Sequence, residues 1–292
     1  MSSPTFTKAT RKKVFLKLAV TGPSGSGKTY SALRLASGLV GPNGKIAFLD
    51  TENGSASLYA DRFEFDTMDI APPFEAEKFV EGIDAAVKGG YSCIIIDSAS
   101  HCWEGILEYK SQLDSRPGSN SYTNWRGAGE KYSAFMKAIS QCNAHVIACL
   151  RSKMEYTQEK DERGKTTVKK VGLAPIARDG AEYEFTTVFE IALDHRASVS
   201  KDRSGLFIDK IFQVTEETGK LLEDWRNSGA EASWKKQIEE AIEKHSAEAA
   251  ANAFLKKVGW IQDGQTFRDV GEEKATKILG NIDGFIAKIN AA

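Results

Sequence analysis

No apolar stretch of this sequence approaches the ~18 residues that a membrane-spanning helix requires. The N-terminus, MSSPTFTKATRKK, also lacks the apolar segment of a secretion signal, so we expect a cytoplasmic protein without a membrane partner. The four cysteines show no short paired spacing, which argues against a disulfide framework. A formal net charge of −1 excludes a uniformly basic nucleic-acid binder but leaves local basic patches open.

Between about residues 13 and 193, short apolar runs such as KIAFLDT and YSCIIIDS alternate with helical stretches such as KTYSALRLASGLV. This alternation predicts an α/β fold with a mainly parallel central sheet that is covered on both faces. The later runs SVSKDRSGLFIDK and IFQVTEETG predict antiparallel strands on the C-terminal side of the core. We expect a flexible N-terminal segment (1–12), a core domain (13–227) and a small C-terminal domain (228–292) of amphipathic helices.

The segment GPSGSGKT, residues 22–29, fits the phosphate-binding pattern G-x-x-x-x-G-K-[ST] without a mismatch. A strand-like run precedes it and a helical run follows it, as the pattern requires. The backbone N–H groups of such a loop surround phosphate oxygens, Lys28 reaches the β- and γ-phosphates, and the Thr29 hydroxyl ligates Mg²⁺. The motif therefore predicts ATP and Mg²⁺ as cofactors. The residues that we assign to nucleotide binding here are Gly22, Pro23, Ser24, Gly25, Ser26, Gly27, Lys28, Thr29 and Tyr30.

A second motif, YSCIIIDS, places Asp97 at the end of a buried strand. In this context we expect Asp97 to hold Mg²⁺ through a water molecule at the edge of the sheet beside the phosphate loop. Hydrolysis also needs a group that orients the attacking water. The residues after Asp97 carry no carboxylate, so Glu52, two residues past the strand KIAFLD, is the candidate.

The arrangement of a strand, D-x-E and a tyrosine seven residues past the glutamate resembles the RecA family of recombination ATPases. The resemblance implies that Glu52 activates water and that Tyr59 stacks on adenine. The alternatives are a solvated loop charge for Glu52 and a helix residue that packs on the core for Tyr59. The resemblance further implies a RecA-like P-loop core. The strand HVIACLRS departs from the family, because it ends in Arg151 where the family has an amide that senses the γ-phosphate. Direct contact of Arg151 with phosphate and a simple ion pair are both open.

The same resemblance implies DNA-binding loops after two of the strands, and both intervals suit single-stranded DNA. The first is a polar stretch in which arginines alternate with aromatics, a combination that favours stacking and phosphate neutralisation. The second reads as a hairpin, and eight basic residues against four acidic ones lie between Arg151 and Arg178. A solvated hairpin of mixed charge is the alternative. The candidate DNA-binding residues are Arg116, Tyr122, Trp125, Arg126, Arg163, Lys165, Lys169, Lys170 and Arg178.

Residues 201–205, KDRSG, resemble the segment by which RecA-type ATPases reach the γ-phosphate of a neighbouring subunit. The resemblance implies that Lys201 and Arg203 are catalytic in trans and that the protein is a homo-oligomer, either a filament or a ring. A charged turn is the alternative. Phe6 and Ala9 match a short subunit-docking motif of some recombinases, but they also suit a flexible basic tail.

Over residues 13–225 the sequence resembles phage-encoded minimal RecA-core ATPases associated with single-strand annealing and recombination. The resemblance implies a DNA-dependent ATPase in the host cytoplasm that promotes annealing or strand exchange. The C-terminal domain lies outside it, and we expect it to cap, oligomerise or bind a single-strand-binding protein. Three other functions stay open: a helicase or translocase motor, a small-molecule kinase, and a nucleotide-binding regulator that does not bind DNA.

Overall fold

The structure, a computed structural model, describes residues 14–160, 166–244 and 248–290, apart from 272–273, 276 and 279–280. The chain forms two compact units. One is Phe15–Glu223, and the other includes the chain from Asp224 onward. Among the described residues, no helix has both the length and the apolar character needed to cross a bilayer.

The first unit is built on one sheet with the strand order β3-β2-β4-β5-β1-β7-β8, and β6 pairs with β5. The strands are β1 (Lys17–Gly22), β2 (Ile46–Asp50), β3 (Asp66–Asp69), β4 (Cys93–Asp97), β5 (His145–Lys160), β6 (Thr166–Pro175), β7 (Thr187–Ile191) and β8 (Ala197–Asp202). The helices are α1 (Lys28–Val40), α2 (Ala76–Lys88), α3 (Ala99–Asp114) and α4 (Ser121–Gln141), and α5 (Glu216–Lys244) begins in this unit.

Strands β1, β2 and β4 are buried along their whole length, as expected for a sheet with helices on both faces. Strands β3, β2, β4, β5, β1 and β7 pair in parallel, so their carboxyl ends meet at one edge. Strand β8 pairs antiparallel with β7 and ends the order of the sheet. The predicted α/β fold, with a mainly parallel sheet and antiparallel pairing on its C-terminal side, is confirmed. The prediction of a second antiparallel strand in IFQVTEETG is wrong, because Phe212 makes only an isolated bridge to Ala197 and α5 begins at Glu216.

The second unit is helical in its described part. It contains α6 (Glu248–Lys257) and a further helix, α7 (Ile282–Asn290). Isoleucines that the sequence places on helical stripes, among them Ile238, Ile242 and Ile278, lie in its buried apolar cluster together with Leu255 and Phe267. The expectation of a helical C-terminal region is confirmed.

The prediction of a long polar loop after β4 is wrong. Residues 115–120 form a short connection, and α4 begins directly after it. The Asn120 side chain accepts hydrogen bonds from the N–H groups of Tyr122 and Thr123, so it caps the helix. Asn124 donates to the Asp114 carboxylate at 2.7 Å, which ties the first turn of α4 to the end of α3. Ser115, Gly118 and Ser119 therefore lie in the short connection, whereas Ser121, Gly127 and Gly129 lie in the capped helix.

Two glycines allow α1 and the start of α5 to touch at their backbones. A methyl group on Gly38 would overlap the carbonyl of Glu216, and one on Gly219 would overlap the carbonyl of Leu35. Beside this contact the Arg34 guanidinium pairs with the Glu216 carboxylate at 2.8 Å. Glycine is therefore required on both helices by close packing, since neither position has a positive φ.

We expect Gly38→Ala to lower the free energy of unfolding by about 1–3 kcal/mol, because the added methyl group has to push two backbones apart. The control is Gly127→Ala in α4, where a methyl group would have no neighbour closer than 3.8 Å. At such an open helical site alanine adds up to about 1 kcal/mol. Urea unfolding followed by circular dichroism measures both changes. A stabilised Gly38→Ala protein would show that the two helices can separate freely.

Candidate nucleotide site

The phosphate loop connects β1 to α1, and its shape depends on glycine. Gly25 and Gly27 have φ of 78° and 88°, a region that other residues rarely adopt. Lys28, the first residue of α1, donates from Nζ to the Pro23 carbonyl at 2.9 Å and so spans the loop. The N-terminus of α1 adds free N–H groups and a favourable dipole for an anion.

Thr29 and Asp97 meet below this loop. The Thr29 hydroxyl donates to Asp97 Oδ2 at 2.6 Å. Burial raises the pKa of Asp97 to about 6, although the hydrogen bond from Thr29 opposes the shift. Because burial disfavours the charged form of Asp97, a cation beside the carboxylate would stabilise that form. Hydroxyl and carboxylate oxygens are ligands that Mg²⁺ prefers, so the pair fits a magnesium site.

The acidic residues at the end of β2 occupy different environments. Asp50 is buried, and its two carboxylate oxygens accept hydrogen bonds from the N–H groups of Glu52 at 2.6 Å and Ala56 at 2.9 Å. Asp50 therefore shapes the turn after β2. The exposed Glu52 side chain lines a cleft beside the phosphate loop.

A cleft of about 860 Å³ joins these groups, a volume within the range of small-molecule sites. Tyr59 lines it from the 3-10 helix Ser55–Tyr59, and the Tyr59 ring lies 5.8 Å from that of Tyr30. The structure thus brings predicted site residues of three separate segments to one cleft, although Gly22, Pro23, Ser26 and Tyr30 do not line it. Its lining includes Ser24, Gly25, Gly27, Lys28, Thr29, Thr51, Glu52, Asn53, Tyr59, Pro72, Phe74, Asp97, His101 and Arg151.

Sequence reasoning missed two histidines at this site. His101 lies in the first turn of α3 and lines the cleft. His195, in the turn between β7 and β8, has a φ of 62° and donates from Nδ1 to the Ser26 carbonyl of the phosphate loop at 3.0 Å. No motif in the sequence marks either histidine, because only the order of the strands brings each of them to the site.

Lys201 and Arg203 lie outside this cleft, at the end of the sheet. Lys201 donates from Nζ to the carbonyls of Glu182 and Tyr183 at 2.8 and 2.7 Å, and Arg203 donates to that of Tyr183 at 3.2 Å. Partial burial, followed by the positive charge of Arg203, lowers the pKa of Lys201. Neither cation has a carboxylate oxygen within 4 Å among the described residues, so neutral carbonyls hold both.

The residues of the first predicted DNA-binding loop are divided between the connection after α3 and helix α4. Arg116 lies in the short connection, whereas Tyr122, Trp125 and Arg126 lie on the first turns of α4. The Tyr122 side chain is 87% exposed, and Lys110 Nζ lies 4.9 Å from the centre of the Trp125 ring. Arg178 follows β6, and its guanidinium carbon lies 5.4 Å from the centre of the Tyr132 ring on α4. Lys169 and Lys170 lie on β6, while Arg163 and Lys165 are outside the described residues. Phe6 and Ala9, the candidates for subunit docking, are outside them as well.

The interval after β5 forms the predicted hairpin in its described part. From Ser152 onward β5 pairs antiparallel with β6 up to Lys160, which pairs with Thr166. The same strand pairs in parallel with β1 up to Arg151. One strand therefore runs from the cleft into the hairpin.

Comparison with known proteins shows the family of this chain. Residues 15–230 match the AAA domain family. The chain is also 29% identical to the protein RecA of Ruminococcus albus over 104 residues, which are 35% of this chain and 25% of that protein. The match thus spans only a quarter of the length of that curated relative. A KaiC-like protein from Pyrococcus horikoshii OT3 aligns with 67% of this chain and 83% of its own, at 15% identity and a TM-score of 0.42.

The family match covers the phosphate loop, Glu52, Asp97 and the whole sheet. It confirms the broad prediction of a P-loop ATPase with distant similarity to RecA, while the recombinase branch stays a prediction. Proteins of this kind generally bind ATP with Mg²⁺, for which Thr29 and Asp97 are suited. This chain belongs to the AAA domain family of P-loop ATPases.

Proposed function

We propose that the protein hydrolyses ATP to control its assembly on single-stranded DNA, where it promotes annealing or strand exchange. The observation that carries the ATPase part is the 2.6 Å contact between Thr29 and Asp97 below the phosphate loop, with the Glu52 carboxylate on the same cleft. A phosphate cradle, a cation site and a carboxylate that can orient water are the groups that phosphoryl transfer to water needs.

In this proposal each residue has one task. Lys28 neutralises the β- and γ-phosphates, Thr29 and Asp97 hold the cation, and Glu52 orients the water that attacks the γ-phosphate. Tyr59 stacks on the base from the wall of the cleft. When bound, Mg²⁺ neutralises charge that develops on the phosphate oxygens.

The DNA part is supported by the continuity of β5. Arg151 and Ser152 line the cleft, and the strand then continues into the hairpin with β6. The sequence from Arg151 to Arg178 has four more basic than acidic residues. A nucleic-acid strand held by this hairpin would be joined to the nucleotide by a single β-strand, which gives a direct route for coupling the two sites.

Electrophoretic shift with labelled single-stranded DNA tests the proposal, with and without ATP and Mg²⁺ and over a series of salt concentrations. We expect binding that ATP strengthens and that weakens with salt, because each neutralised phosphate contributes a log–log slope of about −0.7 on single strands. The double variant Lys169→Glu/Lys170→Glu should weaken binding, whereas Lys88→Glu, on the exposed end of α2, should not. The absence of binding at low salt in either nucleotide state would refute the DNA role while leaving the ATPase intact.

A comparison of two strand reactions then separates annealing from unwinding. We expect the protein with ATP to speed the pairing of complementary oligonucleotides without displacing a tailed duplex. Displacement without pairing would favour a helicase or translocase motor instead.

A further inference from the structure

Contacts with three other side chains fix the position of His101 in the cleft. Its ring stacks on that of Phe74 with centres 4.5 Å apart and planes within 5°. Gly105, one turn later on α3, permits this approach, because a methyl group there would overlap the Phe74 carbonyl. The two ring nitrogens of His101 contact different elements: Nδ1 lies 2.6 Å from Thr51 Oγ1, and Nε2 lies 2.9 Å from Arg151 Nη1.

These two contacts determine the tautomer of His101. A guanidinium can only donate, so Nε2 must accept from Arg151. The neutral ring then carries its hydrogen on Nδ1 and donates it to the Thr51 hydroxyl, which also accepts from the Ser98 N–H at 2.7 Å. With both acceptor positions used, the hydrogen of the Thr51 hydroxyl is left as a donor beside the cleft that Thr51 lines.

Arg151 lies next to the phosphate loop. In the sheet it pairs with Gly22, the first residue of that loop, and its N–H donates to Ser100 Oγ at 2.9 Å. The Glu104 carboxylate is 3.9 Å from the Arg151 guanidinium, so the imidazole at 2.9 Å is the closer of these two partners. The imidazole therefore holds the guanidinium in place without neutralising its positive charge.

We propose that His101 is a positioning residue that aims Arg151 at the γ-phosphate from within the same subunit and ties it to the Thr51–Glu52 turn. The proposal rests on nucleotide hydrolysis in this cleft, but not on DNA binding. His101 acts through the two side chains that its ring nitrogens contact, Thr51 and Arg151. It links the cation that faces the phosphate to the residue that precedes Glu52, so that both approach the nucleotide in a fixed relation.

Three variants of His101 separate its contacts. His101→Phe keeps the ring stacked on Phe74 and loses both hydrogen bonds. His101→Gln can still offer an acceptor to Arg151, and His101→Asn can still reach Thr51 only. We expect kcat to fall about 10- to 100-fold in His101→Phe, as for other displaced catalytic groups, with ATP affinity within about 3-fold of the unaltered protein. His101→Gln should recover more activity than His101→Asn.

A double-mutant cycle with Arg151→Gln, measured with ATP, Mg²⁺ and single-stranded DNA present, supplies the decisive readout. If His101 acts through Arg151, His101→Phe should cost little further activity once Arg151 is replaced. Additive losses, or a His101→Phe protein with unchanged kcat, would overturn the inference. If His101→Phe fails to fold, the order of the Gln and Asn variants decides. An unaltered protein without ATPase activity would instead refute the proposed function.

The pH profile gives an independent test. Protonated His101 carries a hydrogen on Nε2 and can no longer accept from Arg151. Burial first, and then the charge of Arg151, lowers the pKa of His101 below its ordinary value, against the opposing charges of Glu104 and Glu52. Below about pH 6.5 we expect the unaltered protein to lose a part of kcat that His101→Gln retains. Identical acid limbs in the two proteins would count against the proposal.

Discussion

Alanine variants of Lys201 and Arg203 are expected to bind ATP as tightly as the unaltered protein and to hydrolyse it about 10³-fold or more slowly. Both side chains lie outside the cleft that contains Lys28 and Glu52 and are held by backbone carbonyls at the end of the sheet. We propose that they contribute to the γ-phosphate of a neighbouring copy, as an arginine finger supplied in trans. The control is Lys210→Ala, on the same segment, which should retain full activity.

Mixing variants tests the trans arrangement directly. A Lys28→Ala subunit lacks the phosphate contact but still offers Lys201 and Arg203, and an Arg203→Ala subunit has the opposite defect. Random head-to-tail assembly joins an intact cleft to intact cations at about a quarter of the interfaces, so activity should reappear on mixing. Loss of ATP binding by isolated Arg203→Ala protein would mean that the residue acts within its own subunit.

Replacing Glu52 by glutamine should lower kcat by about 10²- to 10⁴-fold while leaving ATP affinity unchanged. The amide preserves the shape and exposure of the side chain but cannot take a proton from water. Because the turn is held by Asp50 through the N–H groups of Glu52 and Ala56, this variant should also keep its stability. Single-turnover hydrolysis and nucleotide titration measure the two quantities.

Asp50→Asn is the matched control for Glu52→Gln. Asp50 is buried and accepts two backbone hydrogen bonds, so the variant presents an NH₂ group to one N–H and should lose about 1–3 kcal/mol of stability. The two acidic residues of the D-x-E segment would then have distinct roles, because Glu52 would affect turnover and Asp50 would affect stability. Normal hydrolysis by the Glu52→Gln protein would remove Glu52 from the catalytic role.

Local pattern was enough to predict the sheet and the phosphate site, because buried parallel strands are uniformly apolar and the loop needs glycine at fixed positions. The α3–α4 region was missed for a physical reason. One side chain, Asn120, caps the helix and outweighs the glycine- and serine-rich composition that favoured a loop. His101 and His195 could not be predicted, since their partners are 50 and 169 residues away in the sequence.

The backbone contact between Gly38 and Gly219 has a mechanical consequence. Side chains between two helices can change rotamer and let the helices slide, but backbones in contact cannot. Lys28 and Gly38 are ten residues apart on α1, about 15 Å along its axis. We therefore expect helix α1 and residues 216–223 to move as one rigid body, so that a shift of α1 at the phosphate loop carries the start of α5 with it.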